Sequence, residues 1–399
     1  MKLKKISILI LLLIFLIPNF SKADDTFLDN NAVTNFSDVN AHLVVSELNT
    51  GKIISKRGEN EKVSVGKLPN YVALYLLADN LKNNKITLDT QLAISTSDDV
   101  LSKYKIESSI TVKDAIFLLE NENSNALNQA IFNRFNINLE KAKDILGAMS
   151  LHDTQLEALE NNDKNTSTAK NISYLTSVIL KTYPEITEIT KNPEHTLATR
   201  EKINNSVEFK ESDKFRVLGL DYSNKNSVTY AYSGNTKLII TVLNQNDDKA
   251  SYFEKLQKTY DYLFTNYTYK LALKAGTYTI NNERITFDND IYDLFYEKHS
   301  IKDVTYLLMN KKILLFQKYN TISANEGTVF SDFTSNNNTD KLSKIKATFI
   351  NDDDFSKKGN LEKTTIVIDR TKYFATGILA IYTLVFAALY VMKQVVRKD

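Results

Sequence analysis

A serine and a lysine stand three positions apart at Ser64 and Lys67, directly before a long apolar run that begins at Leu68. At the start of a helix this spacing can place both side chains on one face, where the lysine amine can accept the proton of the serine hydroxyl. A serine activated in this way attacks a carbonyl carbon and forms a covalent acyl intermediate. The pair therefore predicts the beginning of a serine acyl-transfer site.

The spacing by itself is weak evidence, because the same pattern occurs at three other places in the chain. Those pairs are Ser102 with Lys105, Ser167 with Lys170, and Ser343 with Lys346. The alternative interpretation of Ser64 is a helix-capping serine followed by a solvated lysine. Context favours chemistry, since a hairpin pattern precedes Ser64 and an apolar helical pattern follows it.

Strand patterns enclose a helical middle in the first two thirds of the chain. Apolar runs at 42–47 and 52–55 flank a turn with Gly51, and 86–89 returns the chain to extended structure after the first helix. Further helices are predicted around 111–120, 125–135, 138–148, 167–182 and 249–264, and further strands at 215–220, 228–232 and 238–243. This order predicts an α+β domain at 24–265 whose sheet joins early and late segments.

From residue 266 to residue 370 the pattern changes to short alternating runs such as 277–280 and 312–316. Alternation of apolar and polar residues is typical of strands. The sequence therefore predicts a small β-rich second domain at 266–370, which would act as a spacer.

The two ends of the chain predict export and anchoring. Residues 1–23 combine a basic start, an apolar middle and small residues before Asp24, as a cleavable signal peptide does. The uncharged run 373–392 is about 20 residues long, which is enough to cross a bilayer as a helix. The basic tail 393–399 favours the cytoplasmic side, so we expect a single-pass cell-membrane protein with its domains facing the cell wall.

Composition narrows the choice of partners. With 50 basic and 48 acidic side chains the net charge is +2, so bulk electrostatics gives no reason to expect a nucleic-acid partner. The chain has no cysteine, and its four histidines lack metal-ligand spacing. No metal site and no cofactor are predicted.

Several stretches in one order resemble the penicillin-binding D-alanyl-D-alanine carboxypeptidases, the low-molecular-weight serine peptidases related to class A β-lactamases. They are the turn Thr50-Gly51-Lys52, the motif Ser64-Val65-Gly66-Lys67, Asp144-Ile145-Leu146 with Met149, the turn Asp153-Thr154, and the helix start at 166–171. The resemblance implies a penicillin-binding transpeptidase or β-lactamase-like fold.

The resemblance also implies roles. Ser64 would be the nucleophile that attacks the D-Ala-D-Ala end of a peptidoglycan stem peptide, and Lys67 would be the base that takes its proton. The backbone N–H groups of Ser64 and Asn224 would form the oxyanion hole. β-Lactams would be further ligands, and no cofactor would be needed.

The second motif departs from the family pattern of Ser-x-Asn. Here the chain has Asn123-Ser124-Asn125, so Asn125 matches and Asn123 replaces the serine. An amide can hydrogen-bond to Lys67 but cannot relay a proton as a hydroxyl does. Two alternatives stay open: Ser124 substitutes for the missing serine, or Asn125 only caps the following helix.

The third motif departs further. Where the family has Lys-Thr-Gly, this chain has Asp221-Tyr222-Ser223. The lysine and threonine of that motif bind the carboxylate at the end of the substrate. Replacing the cation with Asp221 introduces repulsion of about 4 kcal/mol for unit charges about 4 Å apart at an effective dielectric near 20. Lys225 is the candidate replacement cation.

Two functions follow from these residues. The first is a serine-type D-Ala-D-Ala carboxypeptidase of peptidoglycan metabolism that works through an acyl-enzyme on Ser64. The second is a catalytically decayed homologue that serves as a membrane-anchored protein binding cell-wall peptides or scaffolding other proteins. The Ser64 and Lys67 pair favours the first, and the changed second and third motifs favour the second.

Overall fold

A computed structural model describes residues 32, 34–36, 38, 40–49, 51–207, 216–222, 225–280 and 283–297, together with short strands at 304–309, 312–317, 328–330 and 334–335. In 216–222 and beyond residue 300 the description is of the backbone. The predicted signal peptide 1–23, the membrane span 373–392 and the tail 393–399 lie outside the described residues. Within the described residues, no helix combines the length and apolarity that a membrane crossing requires.

Strands and helices follow one another in this chain order. They are β1 (His42–Glu47), β2 (Ile53–Arg57), β3 (Val63–Ser64), α1 (Leu68–Lys82), β4 (Gln91–Ala93), α2 (Asp99–Lys103), β5 (Ser109–Thr111), α3 (Val112–Asn121), α4 (Asn125–Arg134), α5 (Leu139–Ala148), β6 (Thr166–Ser167), α6 (Ala169–Thr182), α7 (Ile186–Thr190), β7 (Glu194–Thr196), β8 (Lys202–Asn204), β9 (Arg216–Tyr222), β10 (Ser227–Ser233), β11 (Thr236–Leu243), α8 (Lys249–Asn266), β12 (Tyr267–Leu273), β13 (Gly276–Ile280), β14 (Glu283–Phe287), β15 (Ile291–Tyr296), β16 (Val304–Met309), β17 (Lys312–Gln317), β18 (Thr328–Phe330) and β19 (Thr334–Ser335).

An antiparallel sheet with the strand order β2-β1-β11-β10-β9 forms the centre of the fold. The predicted hairpin pairs β1 with β2, and β1 then pairs with β11, so that Val44 lies opposite Thr241. Early and late segments therefore share one sheet, and the predicted α+β fold is confirmed.

Alternate residues of the sheet face two different cores. Val44 and Ile239 belong to the core that includes the helices between β2 and β9. Val45 and Ile240 belong to the core on the opposite face, where α8 contributes Tyr260. Because successive side chains of a strand point to opposite faces, a sheet with helices on both sides needs apolar residues at consecutive positions.

Helix α1 runs through the middle of the first core and carries the segment that follows Lys67. Leu68, Leu77 and most of its other residues are buried. Its first turn contains Pro69, a position where proline costs little because the N–H groups there have no helical partner. The helix begins at Leu68, four positions after Ser64. Ser64 and Lys67 therefore lie on the segment before the helix and not on one face of its first turn.

The expected extended segment at 86–89 is wrong. The chain makes a turn there, closed by a hydrogen bond of 3.1 Å from the Thr90 N–H to the Thr87 carbonyl, and β4 begins only at Gln91. Threonine hydroxyls in such turns form hydrogen bonds with nearby backbone groups. Here the Thr90 hydroxyl accepts from the Thr87 N–H at 2.9 Å.

The elements described after α8 are all strands. β12 pairs with β15, β13 and β14 form a hairpin extended by β19, and β16 to β18 form a further sheet. The Lys52 ammonium, in the turn between β1 and β2, donates to Asp293 at 3.1 Å and to the Leu294 carbonyl at 2.9 Å, both in β15. This contact joins the central sheet to the strands beyond it. The boundaries 24–265 and 266–370 stay predictions.

Candidate active site

Ser64 lies in the two-residue strand β3 and is exposed. Its backbone pairs with Thr166 of β6, and the next residue, Val65, donates its N–H to the Asn165 carbonyl at 2.8 Å. The Ser64 hydroxyl donates to Asp163 Oδ1 at 3.4 Å. Ser64 therefore does not cap α1, because the N-cap position belongs to Lys67.

Lys67 is half-buried and immediately precedes α1. Its carbonyl accepts the Asn70 N–H at 2.9 Å, which fixes the turn between β3 and the helix. The tight turn keeps Lys67 on the segment that carries Ser64. The roles of nucleophile for Ser64 and base for Lys67 stay predictions.

The second motif is divided between surface and interior. Asn123 is exposed, whereas Ser124 is buried and caps α4 by accepting the Leu127 N–H at 3.1 Å. The Ser124 hydroxyl donates its proton to Asp98 Oδ2 at 2.8 Å. Since a hydroxyl has one proton to donate, this arrangement argues against Ser124 as the substitute for the missing serine.

Asn125 is the first residue of α4, and its side chain does not cap that helix, because Ser124 does. The Asn125 Oδ1 instead accepts the Asn161 N–H at 2.8 Å. The alternative that Asn125 is only a helix cap is therefore wrong. Its side chain joins the second motif to a loop that the sequence did not single out.

A network of asparagine amides connects that loop to the helix behind Ser64. Asn70 Oδ1, buried in the first turn of α1, accepts from Asn128 Nδ2 at 2.8 Å and from Asn161 Nδ2 at 2.9 Å. Asn70 Nδ2 donates to the Leu119 carbonyl at 2.7 Å. Buried amides that are hydrogen-bonded in this way hold their elements in one arrangement. The first and second motifs are thus fixed relative to each other.

We call residues 156–165 the 156–165 loop. Its two ends meet where Gln155 forms a bridge with Thr166. Asn165 is fully buried, and its Oδ1 accepts the N–H groups of Glu157 at 2.9 Å and Ala158 at 3.2 Å, while its Nδ2 donates to the Glu160 carbonyl at 3.0 Å. The loop therefore has its own internal hydrogen bonds.

The third motif lies at the end of the edge strand β9. The backbone of Asp221 pairs with Val228, and that of Tyr222 pairs with Ser227. Ser223, together with the predicted oxyanion-hole residue Asn224, lies outside the described residues. The extended backbone at Asp221 and Tyr222 agrees with the strand that the sequence predicts to lead into this motif.

The turn after β9 returns to the nucleophile. Asn226 Nδ2 donates to the Ser64 carbonyl at 3.0 Å, and Asn226 Oδ1 accepts the Asn244 N–H at 3.0 Å. Lys225, the neighbour of Asn226, is exposed, and its carbonyl accepts the Gln245 N–H at 2.9 Å. Asn226, three residues after the third motif, and Ser64 are therefore brought together.

Asp98 fixes the second motif through hydrogen bonds at the start of α4. Its carboxylate accepts the Leu101 N–H at 3.0 Å and thereby caps α2, and it also accepts the Ala126 N–H at 3.0 Å. Burial alone would raise the pKa of Asp98, but hydrogen bonds from these two N–H groups and from the Ser124 hydroxyl hold that pKa below its usual value. The carboxylate is therefore charged at neutral pH.

Sequence reasoning missed three residues of this site: Asp98, Asp163 and Asn226. An aspartate directly before a helix is a cap signal, but the sequence analysis predicts no helix at 99–103, where α2 lies. Asp163 and Asn226 belong to no motif, and only the folded chain places them beside Ser64.

The arrangement offers an exposed hydroxyl with a carboxylate, amides and two lysine-bearing segments around it. Such a set can support nucleophilic attack on a carbonyl and proton transfer. Within the part of the chain that the structure describes, no three His, Asp or Glu side chains come together in a way that could hold a metal ion.

Comparison with known proteins gives a fold. No protein-family model matches the sequence, and no curated protein matches it in sequence. Among solved structures, penicillin-binding protein 6B from Escherichia coli superposes with a TM-score of 0.56 at 16% identity, over 71% of this chain and 92% of that chain. Penicillin-binding protein 5 from Haemophilus influenzae gives a TM-score of 0.56 at 14% identity, over 73% and 96%.

The D-alanyl-D-alanine carboxypeptidase DacD from Francisella tularensis gives a TM-score of 0.54 at 11% identity, over 76% of this chain and 93% of that chain. These matches cover nearly the whole of each solved chain, so the likeness extends over the complete fold and not only over a local motif. The chain has the fold of the penicillin-binding D-alanyl-D-alanine peptidase family.

Proposed function

We propose that this protein is a serine-type D-Ala-D-Ala carboxypeptidase-like protein of peptidoglycan metabolism that forms an acyl-enzyme on Ser64. The single observation that carries the proposal is the position of Ser64. An exposed serine hydroxyl lies where β3, the 156–165 loop and the turn after β9 meet, and the second motif is joined to the same loop through Asn125.

In this proposal the Ser64 hydroxyl attacks the carbonyl carbon of the terminal peptide bond, and Lys67 accepts its proton. The backbone N–H of Ser64 supplies one donor to the oxyanion that develops. The proton that Lys67 accepted passes to the nitrogen of the terminal D-alanine, which leaves as an amine, and the rest of the stem peptide stays on Ser64 as an ester. A β-lactam ring is opened by the same attack, and the product remains on Ser64 as an ester.

Lys225 is the side chain that we assign to the terminal carboxylate of the substrate. What supports this assignment is that its neighbour Asn226 is hydrogen-bonded to the Ser64 carbonyl, so the backbone of this turn lies beside the strand that carries Ser64. Lys225 would offset the repulsion introduced by Asp221.

We further propose a single-pass membrane protein with its folded part on the outer side, on the basis of residues 1–23 and 373–392.

A second candidate function is peptide binding without turnover. The observation that favours it is the state of the second motif: Asn123 has no hydroxyl, and the Ser124 hydroxyl is committed to Asp98. Proton delivery to the leaving amine would then lack its usual carrier. Such a protein would still bind cell-wall peptides beside Ser64.

The first prediction separates the two functions. Incubation of the full chain with excess benzylpenicillin should increase its intact mass by one penicilloyl group, and the Ser64→Ala variant should show no increase. Ser102→Ala removes a serine with the same spacing to a lysine and is the matched control. It should be acylated like the wild-type protein.

If neither the folded wild-type protein nor a folded variant in which hydrolysis of the ester is slowed acquires an adduct, the acyl-enzyme proposal is wrong and the binding function becomes the better one. An adduct that persists in Ser64→Ala would place the nucleophile elsewhere.

A further inference from the structure

We propose that Asp163 is a further catalytic residue of this site: the general base that activates the water which hydrolyses the Ser64 ester. This inference rests on the proposed function and assigns the deacylation step to a residue that no motif contains. The observation behind it is the contact of 3.4 Å between the Ser64 hydroxyl and Asp163 Oδ1, two residues 99 positions apart in the chain.

The carboxylate is positioned by its loop. On one side of Asp163, Asn161 is held by Asn70 and Asn125 through hydrogen bonds of 2.9 and 2.8 Å. On the other side, Asn165 is fully buried and bonded within the loop, and its carbonyl accepts the Val65 N–H. Hydrogen bonds on both sides of Asp163 fix the loop to the segments around Ser64. They therefore also hold the backbone of Asp163 in position.

Gly66 lies against the 156–165 loop and has no side chain that would contact it. A Cβ atom at position 66 would lie 3.5 Å from Asp163 Oδ1 and 3.8 Å from the Asn162 carbonyl carbon. A side chain larger than alanine would therefore meet the 156–165 loop. Asp163 itself is exposed, so bulk water reaches its carboxylate.

Acylation changes what faces Asp163. In the free protein its Oδ1 accepts the proton of the Ser64 hydroxyl. Once Ser64 Oγ is part of an ester, that oxygen has no proton to donate, and the carboxylate has an acceptor site facing the ester. In this proposal a water molecule that donates to this site attacks the acyl carbon while Asp163 takes its proton.

The hydrolytic step balances as follows. One O–H bond of the water breaks, its proton moves to Asp163, and its oxygen bonds to the acyl carbon to give a tetrahedral intermediate. The intermediate collapses with cleavage of the bond between the acyl carbon and Ser64 Oγ, and the proton passes from Asp163 to Ser64 Oγ. The products are the free carboxylic acid and the original serine, with no change of oxidation state.

This assignment is consistent with the second motif. Asn123 has no hydroxyl, and the Ser124 hydroxyl donates to Asp98. Neither group can accept and return a proton at Ser64. Asp163 is the carboxylate that contacts the Ser64 hydroxyl among the residues that the structure describes.

The test follows the lifetime of the penicilloyl ester by intact mass in the full chain, after removal of excess benzylpenicillin. Asp163→Asn keeps the shape of the side chain and removes its basicity, and we expect the ester to persist about 100-fold longer or more than in the wild-type protein. Asp163→Glu restores a carboxylate and should recover part of the hydrolysis rate. The exposed Asp89→Asn is the matched control and should behave like the wild-type protein.

A second measurement excludes a general disturbance of the site. Hydroxylamine attacks as a neutral nucleophile without prior loss of a proton, so it should discharge the ester of the wild-type protein and of Asp163→Asn at similar rates. If hydroxylamine is slowed in the variant as much as water is, Asp163 is not the base.

The outcomes distinguish this inference from the proposed function. An adduct that accumulates only in Asp163→Asn supports the inference, because fast hydrolysis would hide it in the wild-type protein. Adducts of equal lifetime in both proteins overturn the inference and leave the acyl-enzyme intact. Absence of an adduct from every variant overturns both.

Discussion

The carboxylate of Asp98 accepts hydrogen bonds from two separate helix starts. It caps α2 through the Leu101 N–H and receives the Ala126 N–H and the Ser124 hydroxyl at the start of α4. Helix starts carry unpaired N–H groups and a partial positive charge, so one carboxylate shared between two of them stabilises both. The position of the second motif depends on this residue.

Asp98→Ala should therefore lower the free energy of unfolding by about 2 kcal/mol, since it removes a cap and leaves the buried Ser124 hydroxyl without its acceptor. Urea unfolding monitored by circular dichroism measures the change. Asp99→Ala, which changes the exposed neighbour, is the matched control. Equal losses in the two variants would contradict the role of Asp98.

At the scale of elements, a buried contact between the His195 and Asp114 side chains attaches α3 to the β7–β8 hairpin. His195 Nε2 lies 2.7 Å from Asp114 Oδ1, and Asp114 Oδ2 accepts the Ala198 N–H at 3.0 Å. The His195 ring stacks on Phe117 of α3 with centroids 4.9 Å apart. The sequence offered His195 only as a histidine without metal-ligand spacing, and the fold gives it a structural role.

Asp114→Ala should destabilise the protein by about 3 kcal/mol at pH 7, because it leaves His195 and the Ala198 N–H buried without their acceptor. Asp89→Ala, at an exposed position, should have little effect. Thermal unfolding followed by calorimetry compares them. A loss in Asp114→Ala no larger than that in Asp89→Ala would show that the pair does not hold the hairpin.

Acid should remove the same stabilisation. Burial would raise the pKa of Asp114, but the hydrogen bond from His195 and two others outweigh it and hold that pKa below its usual value. A carboxyl whose pKa is lower in the folded than in the unfolded state stabilises the fold above its unfolded pKa, near 4, and loses this effect as the pH falls through the folded pKa. The difference in stability between the wild-type protein and Asp114→Ala should therefore shrink below about pH 4.

At the scale of the whole molecule, Lys52 connects the central sheet with the strands beyond α8. Its side chain is 15% exposed, and its ammonium pairs with Asp293, whose side chain is 0% exposed. Asn49, in the same turn as Lys52, donates to the Tyr269 hydroxyl of β12 at 3.3 Å. The turn between β1 and β2 therefore contacts both β12 and β15.

Lys52→Met should cost about 3 kcal/mol, because the Asp293 carboxylate would stay buried without its cation. The first sign should be faster proteolysis of the chain from β12 to β15. The double variant Lys52→Met with Asp293→Leu should recover part of the loss, and the exposed Lys85→Met should show none. Unchanged proteolysis in Lys52→Met would mean that other contacts hold β12 and β15 in place.

The sequence by itself determined the order of the longer helices and of the strands β1, β2 and β9 to β11, because apolar periodicity is a local property of the chain. It also determined the α+β class and the position of Ser64 in front of a long buried helix. It placed an extended segment on 86–89, where the chain makes a turn, because boundaries depend on turn chemistry more than on periodicity.

Only the tertiary structure decided what stands beside Ser64. Asp163 and Asn226 are 99 and 162 positions away from it, and no periodic pattern relates such distant residues. Their approach depends on β3 pairing with β6 and on the turn from β9 to β10, which follow from closing the sheet and burying both cores. The motif thus came from local spacing, whereas the carboxylate proposed to complete its chemistry came from the fold.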